Sequence, residues 1–87
     1  MSTNTAYPIT FTGTIAAIRL AGRSRNGNPF YDVAFSDGEG FGHIFTTQKD
    51  GRPSYEVGHH FEGKPARIHT RMYRGDRVIE GIEILSA

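Results

Sequence analysis

The chain of 87 residues has no cysteine, no tryptophan and no long apolar run. The absence of cysteine excludes a disulfide framework and a thiolate zinc site, and it is consistent with a reducing compartment. The longest apolar run covers residues 15–18, which is far too short to span a membrane, and the N-terminus lacks a signal-peptide pattern. We therefore expect a cytoplasmic protein with no membrane partner.

A large charge of one sign is also missing, since ten basic and nine acidic residues give a formal net charge of +1. Such a balance supplies no global field to steer a polyanion. The type of cation is more informative, because eight of the ten are arginine. Arginine offers a planar fork for phosphate and a face that stacks on bases. A genomic preference for arginine explains the same count, so both interpretations stay open.

Catalytic and metal-binding motifs are absent. There is no Gly-x-Ser-x-Gly elbow, no phosphate-cradling glycine loop before a helix and no recognisable carboxylate pair. Four histidines suggest a metal site, but adjacent His59 and His60 on an extended segment point to opposite sides, and no close carboxylate completes a known spacing. We therefore expect no enzyme, no catalytic residue, no metal site and no cofactor.

The sequence predicts an all-β fold. Glycines and prolines interrupt the chain at short intervals, and the runs between them are rich in β-branched and aromatic residues. Strands are predicted at residues 9–20, 30–35, 41–47, 66–73 and 78–85, with one short helical turn at 54–57 before Gly58. Gly13 allows the long first strand to bend and serve two sheets.

This order of strands matches a five-stranded OB-fold-like barrel. A small SH3-like barrel and an open five-stranded sheet are the alternative architectures. We expect a flexible terminus at residues 1–6 and a single OB-fold domain over residues 7–87.

The fourth strand carries the clearest functional signal. Alternation along a strand sends one set of its side chains outward. That outward set is Arg67, His69, Arg71 and Tyr73. Guanidinium forks beside flat rings suit the phosphates and bases of an unpaired strand. An ordinary solvated face is the alternative.

Strand three leaves two arrangements open. Phe41, His43 and Phe45 share one face and Ile44 lies on the other, and both faces cannot be core in so small a barrel. A nucleic-acid binder is expected to bury Ile44 and expose the aromatic ladder, since stacking contributes about 1–3 kcal/mol per base. The alternative places the phenylalanines in the core or at a subunit interface.

The loop between strands one and two supplies further candidates. The Asn26-Gly27 pair is a strong turn signal in a polar segment that we expect to be flexible. Mobile Arg23 and Arg25 there would contact backbone phosphates, because this loop is a usual wall of the OB groove. Phe30 is expected to face outward at the mouth of the loop. A solvated loop is the alternative.

Three segments resemble the single-stranded DNA-binding protein family and its primosomal relatives, which are OB folds. The segments are Thr12-Gly13-Thr14-Ile15, residues 26–35, and Ile68-His69-Thr70-Arg71-Met72-Tyr73. The resemblance implies that Tyr73 stacks on a base and that Arg71 lies by the backbone. The short hairpin at 36–40, Ala66 in place of a glycine, and the lack of tryptophan and of an acidic tail differ from the family. A compact phage or plasmid version of the family would fit these departures.

These observations predict a non-catalytic module that binds single-stranded nucleic acid, DNA rather than RNA, with little sequence specificity. The predicted binding residues are Arg23, Arg25, Phe30, Phe41, His43, Phe45, Arg67, His69, Arg71 and Tyr73. A β-barrel that binds another protein through exposed phenylalanines is the alternative function. A homo-oligomer, either a dimer or a tetramer, is also expected, because one small core is marginal alone.

Overall fold

The computed structural model describes residues 9–85, so the predicted flexible segment 1–6 lies outside the described residues. The strands are β1 (Ile9–Arg23), β2 (Pro29–Asp37), β3 (Gly42–Thr47), β4 (Pro65–Tyr73) and β5 (Asp76–Ile84). A short helix, α1 (Arg52–Glu56), and a 3₁₀ turn (His59–Phe61) connect β3 to β4. No helix in this range is long and apolar enough to cross a membrane.

The strands close a barrel in the order β1-β2-β3-β5-β4. Neighbouring strands run antiparallel, except that β3 and β5 pair in parallel at Thr46 with Val78 and at Thr47 with Ile79. The chain therefore forms the predicted all-β, five-stranded OB-fold-like barrel, and closure excludes the open sheet. All five predicted strands are present, and β1 extends three residues beyond its predicted end.

Gly13 is one of two consecutive positions, with Thr14, at which β1 takes part in two ladders. It pairs with Asp37 of β2 and with Ala66 of β4. A Cβ atom on Gly13 would overlap the carbonyl oxygen of Ser36 and would lie 2.7 Å from the Cα atom of Asp37. The two backbones thus approach too closely for any side chain, and β1 pairs with both neighbouring strands at this glycine.

The barrel interior is filled by alternate residues of the strands and by one residue of the connection. The core cluster consists of Ile15, Ile18, Val33, Phe35, Phe45, Val57, Ala66, Ile68 and Ile79. Val57 follows α1 and brings this connection onto the strands. Within residues 9–85, every buried side-chain nitrogen and oxygen has a hydrogen-bond partner.

The connection between β3 and β4 is fastened to the barrel at both of its ends. The Ser54 hydroxyl of α1 lies 2.8 Å from the hydroxyl of Thr47 at the end of β3, and it donates a hydrogen bond to the carbonyl of Gln48 at 2.7 Å. At the other end, the Glu62 carboxylate accepts the amide of Ile18 at 2.8 Å, and this bond is the main reason why the pKa of Glu62 lies below its usual value. The helix begins at Arg52, two residues before the predicted turn, because proline favours the first helical positions.

Candidate functional site

A groove of about 880 Å³ lies where the β1–β2 loop, the outer face of β3 and the β4–β5 turn meet. Ile44 projects from β3 into this region and is 72% exposed. Ile44 also borders a smaller depression between Ala17, Arg19 and Asp32 on the outer face of β1 and β2. An open surface therefore continues from β1 across β3 to the β4–β5 turn.

Four cations and two carboxylates line the groove: Arg25, Lys49, Arg74, Arg77, Asp50 and Asp76. The groove thus has a formal excess of two positive charges, although the whole chain has a net charge of only +1. The rest of the surface consequently carries a slight negative balance. Positive charge is concentrated at a large concave surface, where it acts most strongly on an anionic ligand.

Two aromatic rings in the groove each have a cation over one face. The ammonium of Lys49 lies 4.8 Å from the ring centroid of Phe30, and the guanidinium carbon of Arg74 lies 5.4 Å from that of Tyr73. These distances are typical of cation–π contacts. The groove therefore presents a ring with an adjacent positive charge at two places, one beside the β1–β2 loop and one at the β4–β5 turn.

The β1–β2 loop is held by hydrogen bonds, which corrects its prediction as a flexible segment. The Asp50 carboxylate accepts bonds from Ser24 Oγ at 2.6 Å, Asn28 Nδ2 at 2.7 Å and Asn26 Nδ2 at 3.0 Å. The Ser24 hydroxyl oxygen also accepts the amides of Asn26 and Asn28 at 3.2 Å. The bonds from Ser24 and then Asn28 are the main causes that lower the pKa of Asp50. Arg25 is therefore carried on an ordered turn.

The predicted outward row of β4 is confirmed in its orientation, but glutamates of β5 accompany its charges. Glu83 Oε1 lies 3.3 Å from Arg67 Nη1 and 3.1 Å from His69 Nε2, and Arg71 lies 3.7 Å from Glu80. The bond from His69, followed by that from Arg67, lowers the pKa of Glu83. These three predicted residues do not line the groove, whereas Tyr73 at the end of the strand does.

The arrangement of β3 is the reverse of the one expected for a binder. Phe45 is 7% exposed and belongs to the core, whereas Ile44 faces solvent. Phe45 borders the groove, but a ring so deeply buried cannot serve as the predicted stacking surface. His43 does not line the groove either, and its ring packs against Phe11 and Phe45. Phe41 is 64% exposed near the β2–β3 hairpin and does not line the groove.

Of the ten predicted binding residues, four line the groove: Arg25, Phe30, Tyr73 and the buried Phe45. Arg23, at the end of β1, instead donates a hydrogen bond to the carbonyl of Gly27 at 3.2 Å. The sequence interpretation missed Lys49, Arg74 and Arg77. The tight turn at 74–77 is visible in the sequence, and in an OB barrel the β4–β5 loop borders the ligand groove, so that position was the available signal.

Comparisons of the chain with protein-family models, with curated proteins and with solved structures find no match. Within residues 9–85, no group of three or more histidine and carboxylate side chains is placed to hold a metal ion. The functional conclusion therefore depends on the shape, rings and charges of the groove.

Proposed function

We propose that this protein binds single-stranded nucleic acid in the groove between the β1–β2 loop, β3 and the β4–β5 turn. The observation that carries the proposal is the pairing of each groove ring with a cation, Phe30 with Lys49 and Tyr73 with Arg74. A nucleotide is itself a flat base joined to a phosphate, so a ring beside a cation matches both of its parts. The resemblance to single-stranded DNA-binding proteins favours DNA over RNA.

The mechanism follows from these two contacts. Bases of an unpaired strand have free faces, and stacking one on Tyr73 or Phe30 contributes about 1–3 kcal/mol. Arg25, Lys49 and Arg74 then neutralise phosphates and release counterions. A duplex buries its base faces between neighbouring base pairs, so it cannot use the rings in this way. Stacking accepts any base, which accounts for the low sequence specificity in the proposal.

The nearly neutral net charge does not oppose this function. Steering and neutralising a polyanion depend on the charge near the ligand, and Debye screening reduces interactions beyond about 8–10 Å at physiological salt. The groove has two more cations than carboxylates. The acidic residues that balance the chain lie largely elsewhere, such as Glu80 and Glu83 on β5.

A titration of the protein with a fluorescently labelled single-stranded oligonucleotide at several salt concentrations tests the proposal. We expect Arg74→Gln to weaken binding and to reduce the slope of log affinity against log salt by about 0.7, the value for one phosphate contact on a single strand. Arg52→Gln is the matched control, because Arg52 lies on α1 and does not line the groove. No binding by the unchanged protein at low salt would exclude this function.

A second candidate, a protein-interaction module, is favoured by the exposure of Phe41 and Ile44 at 64% and 72%. Large apolar side chains at the surface are common anchors of protein interfaces. The salt titration separates the two candidates, since an apolar interface lacks the counterion-release slope.

Homo-oligomerisation stays a prediction. Analysis of Phe41→Ser by sedimentation tests whether the Phe41 side chain supports an oligomer.

A further inference from the structure

Asp50 is a carboxylate in a groove where cations predominate, and its surroundings explain why it is there. Ser24, Asn26 and Asn28 all donate hydrogen bonds to it, at distances between 2.6 and 3.0 Å. Its backbone has a φ of 58°, a left-handed conformation that aspartate and asparagine tolerate better than most residues. Asp50 therefore joins the segment after β3 to the β1–β2 loop across 22 to 26 positions of sequence.

We propose that Asp50 is a positioning residue for the nucleic-acid groove. By accepting hydrogen bonds from the loop at residues 24–28, Asp50 fixes the position of Arg25 relative to Lys49 and Phe30. This inference rests on the proposed function, and it names the group that orders one wall of that site. A wall that is ordered before the ligand arrives loses less conformational freedom on binding, which raises affinity.

Charge and positioning predict opposite effects when this carboxylate is removed. As a charge, Asp50 repels phosphates, so its loss should strengthen the binding of a polyanion. As a positioning group, its loss should weaken binding, because Arg25 and its loop are released. Asp76 provides the matched comparison, since it is the other carboxylate of the groove and lies at the β4–β5 turn, outside the Ser24–Asn28 cluster.

The test compares Asp50→Ala, Asp50→Asn and Asp76→Ala in oligonucleotide titrations at fixed salt. We expect Asp76→Ala to bind equally or more tightly, and Asp50→Ala to bind about tenfold more weakly, which corresponds to losing about 1.4 kcal/mol. Asp50→Asn keeps an oxygen that accepts from Ser24 and Asn28 and tolerates the left-handed backbone, so it should retain most of the affinity. Asp50→Ala that binds as tightly as Asp76→Ala overturns the proposal.

Two further measurements distinguish a failure of the positioning role from a failure of the proposed function. The double variant Asn26→Ala/Asn28→Ala removes two donors without changing the charge, and we expect it to weaken binding while thermal unfolding stays cooperative. Amide hydrogen exchange of the free Asp50→Ala protein should accelerate at residues 24–28 and not in β4. If Asp50→Ala leaves the exchange rates at residues 24–28 as they were, the positioning role alone is overturned. If the protein without substitutions does not bind the oligonucleotide, the proposed function is overturned and this inference with it.

Discussion

The Nε2 atom of His43 lies 2.8 Å from Oδ2 of Asp37, across the base of the β2–β3 hairpin. The other oxygen of that carboxylate accepts the amides of Glu39 and Phe41, both at 2.9 Å. Asp37 thus binds both the backbone of the hairpin turn and the ring of His43 on β3. The bond from His43, followed by that from the Phe41 amide, keeps the pKa of Asp37 below its usual value.

This relationship predicts how stability depends on pH. A carboxyl group whose pKa is lower in the folded protein than in the unfolded chain contributes its full stabilisation at pH values above its pKa in the unfolded chain, near 3.9. That contribution is lost as the pH falls through the pKa of the group in the folded protein. We expect the free energy of unfolding to decrease as pH falls below about 5, and the decrease to be smaller in Asp37→Asn. Urea unfolding between pH 3 and 7 measures this. Glu39→Gln, which changes an exposed acid of the same hairpin, is the matched substitution for comparison. An equally large decrease in Asp37→Asn and in the unchanged protein would contradict this role for Asp37.

Gly13 gives a prediction about the construction of the barrel. A Cβ atom there would overlap the Ser36 carbonyl oxygen, and backbone atoms cannot move aside without breaking a ladder. We expect Gly13→Ala to lower the free energy of unfolding by more than about 2 kcal/mol. Gly42→Ala is the control, because no atom beyond its chain neighbours lies within 4 Å of the place where the new methyl group would stand, and it should change stability by less than about 0.5 kcal/mol. Equal denaturation midpoints for the two variants would contradict this role for Gly13.

The fold was predictable because its signals are local. Gly13 in a long strand, and the alternation of Ala66 and Ile68 with Arg67 and His69, follow from the two-residue period of a strand and from the freedom of glycine. Alternation on β3 separates Ile44 from Phe45, but it does not say which of the two faces is inside. Which face is inside depends on contacts with the other strands of the closed barrel. Here Phe45 packs against Phe11 of β1, with ring centroids 5.0 Å apart.

The candidate site was less predictable, because its parts meet only when the barrel closes. Lys49, Phe30 and Tyr73 are distant in sequence and share one groove. The ion pair of Arg67 with Glu83 likewise depends on the β4–β5 register, in which these residues are direct partners. No pattern within β4 alone indicates that its arginine faces a glutamate on the next strand.

The β4 arginines provide a prediction that separates the groove from the outward row. Arg67 lies 3.3 Å from Glu83, so much of its charge is already balanced before any phosphate arrives. We expect Arg67→Gln to change oligonucleotide affinity by less than about twofold, whereas Arg25→Gln in the groove should weaken it severalfold, since each lost phosphate contact reduces the salt slope by about 0.7. Fluorescence anisotropy at two salt concentrations measures both. A larger loss for Arg67→Gln than for Arg25→Gln would place the ligand on β4 and β5 instead.

Tyr73 and Phe45 allow binding and stability to be separated in one experiment. Tyr73 is 55% exposed in the groove, so Tyr73→Ala removes a stacking surface and should cost about 1–3 kcal/mol of binding free energy with little change in unfolding. Phe45→Ala leaves a core cavity and should lower the free energy of unfolding by about 3–5 kcal/mol. Tyr55→Ala controls for the loss of an exposed tyrosine, because Tyr55 is 59% exposed on α1 and does not line the groove. Oligonucleotide titration paired with urea unfolding of all three variants measures both quantities. Equal affinities for Tyr73→Ala and Tyr55→Ala would mean that no base stacks on Tyr73.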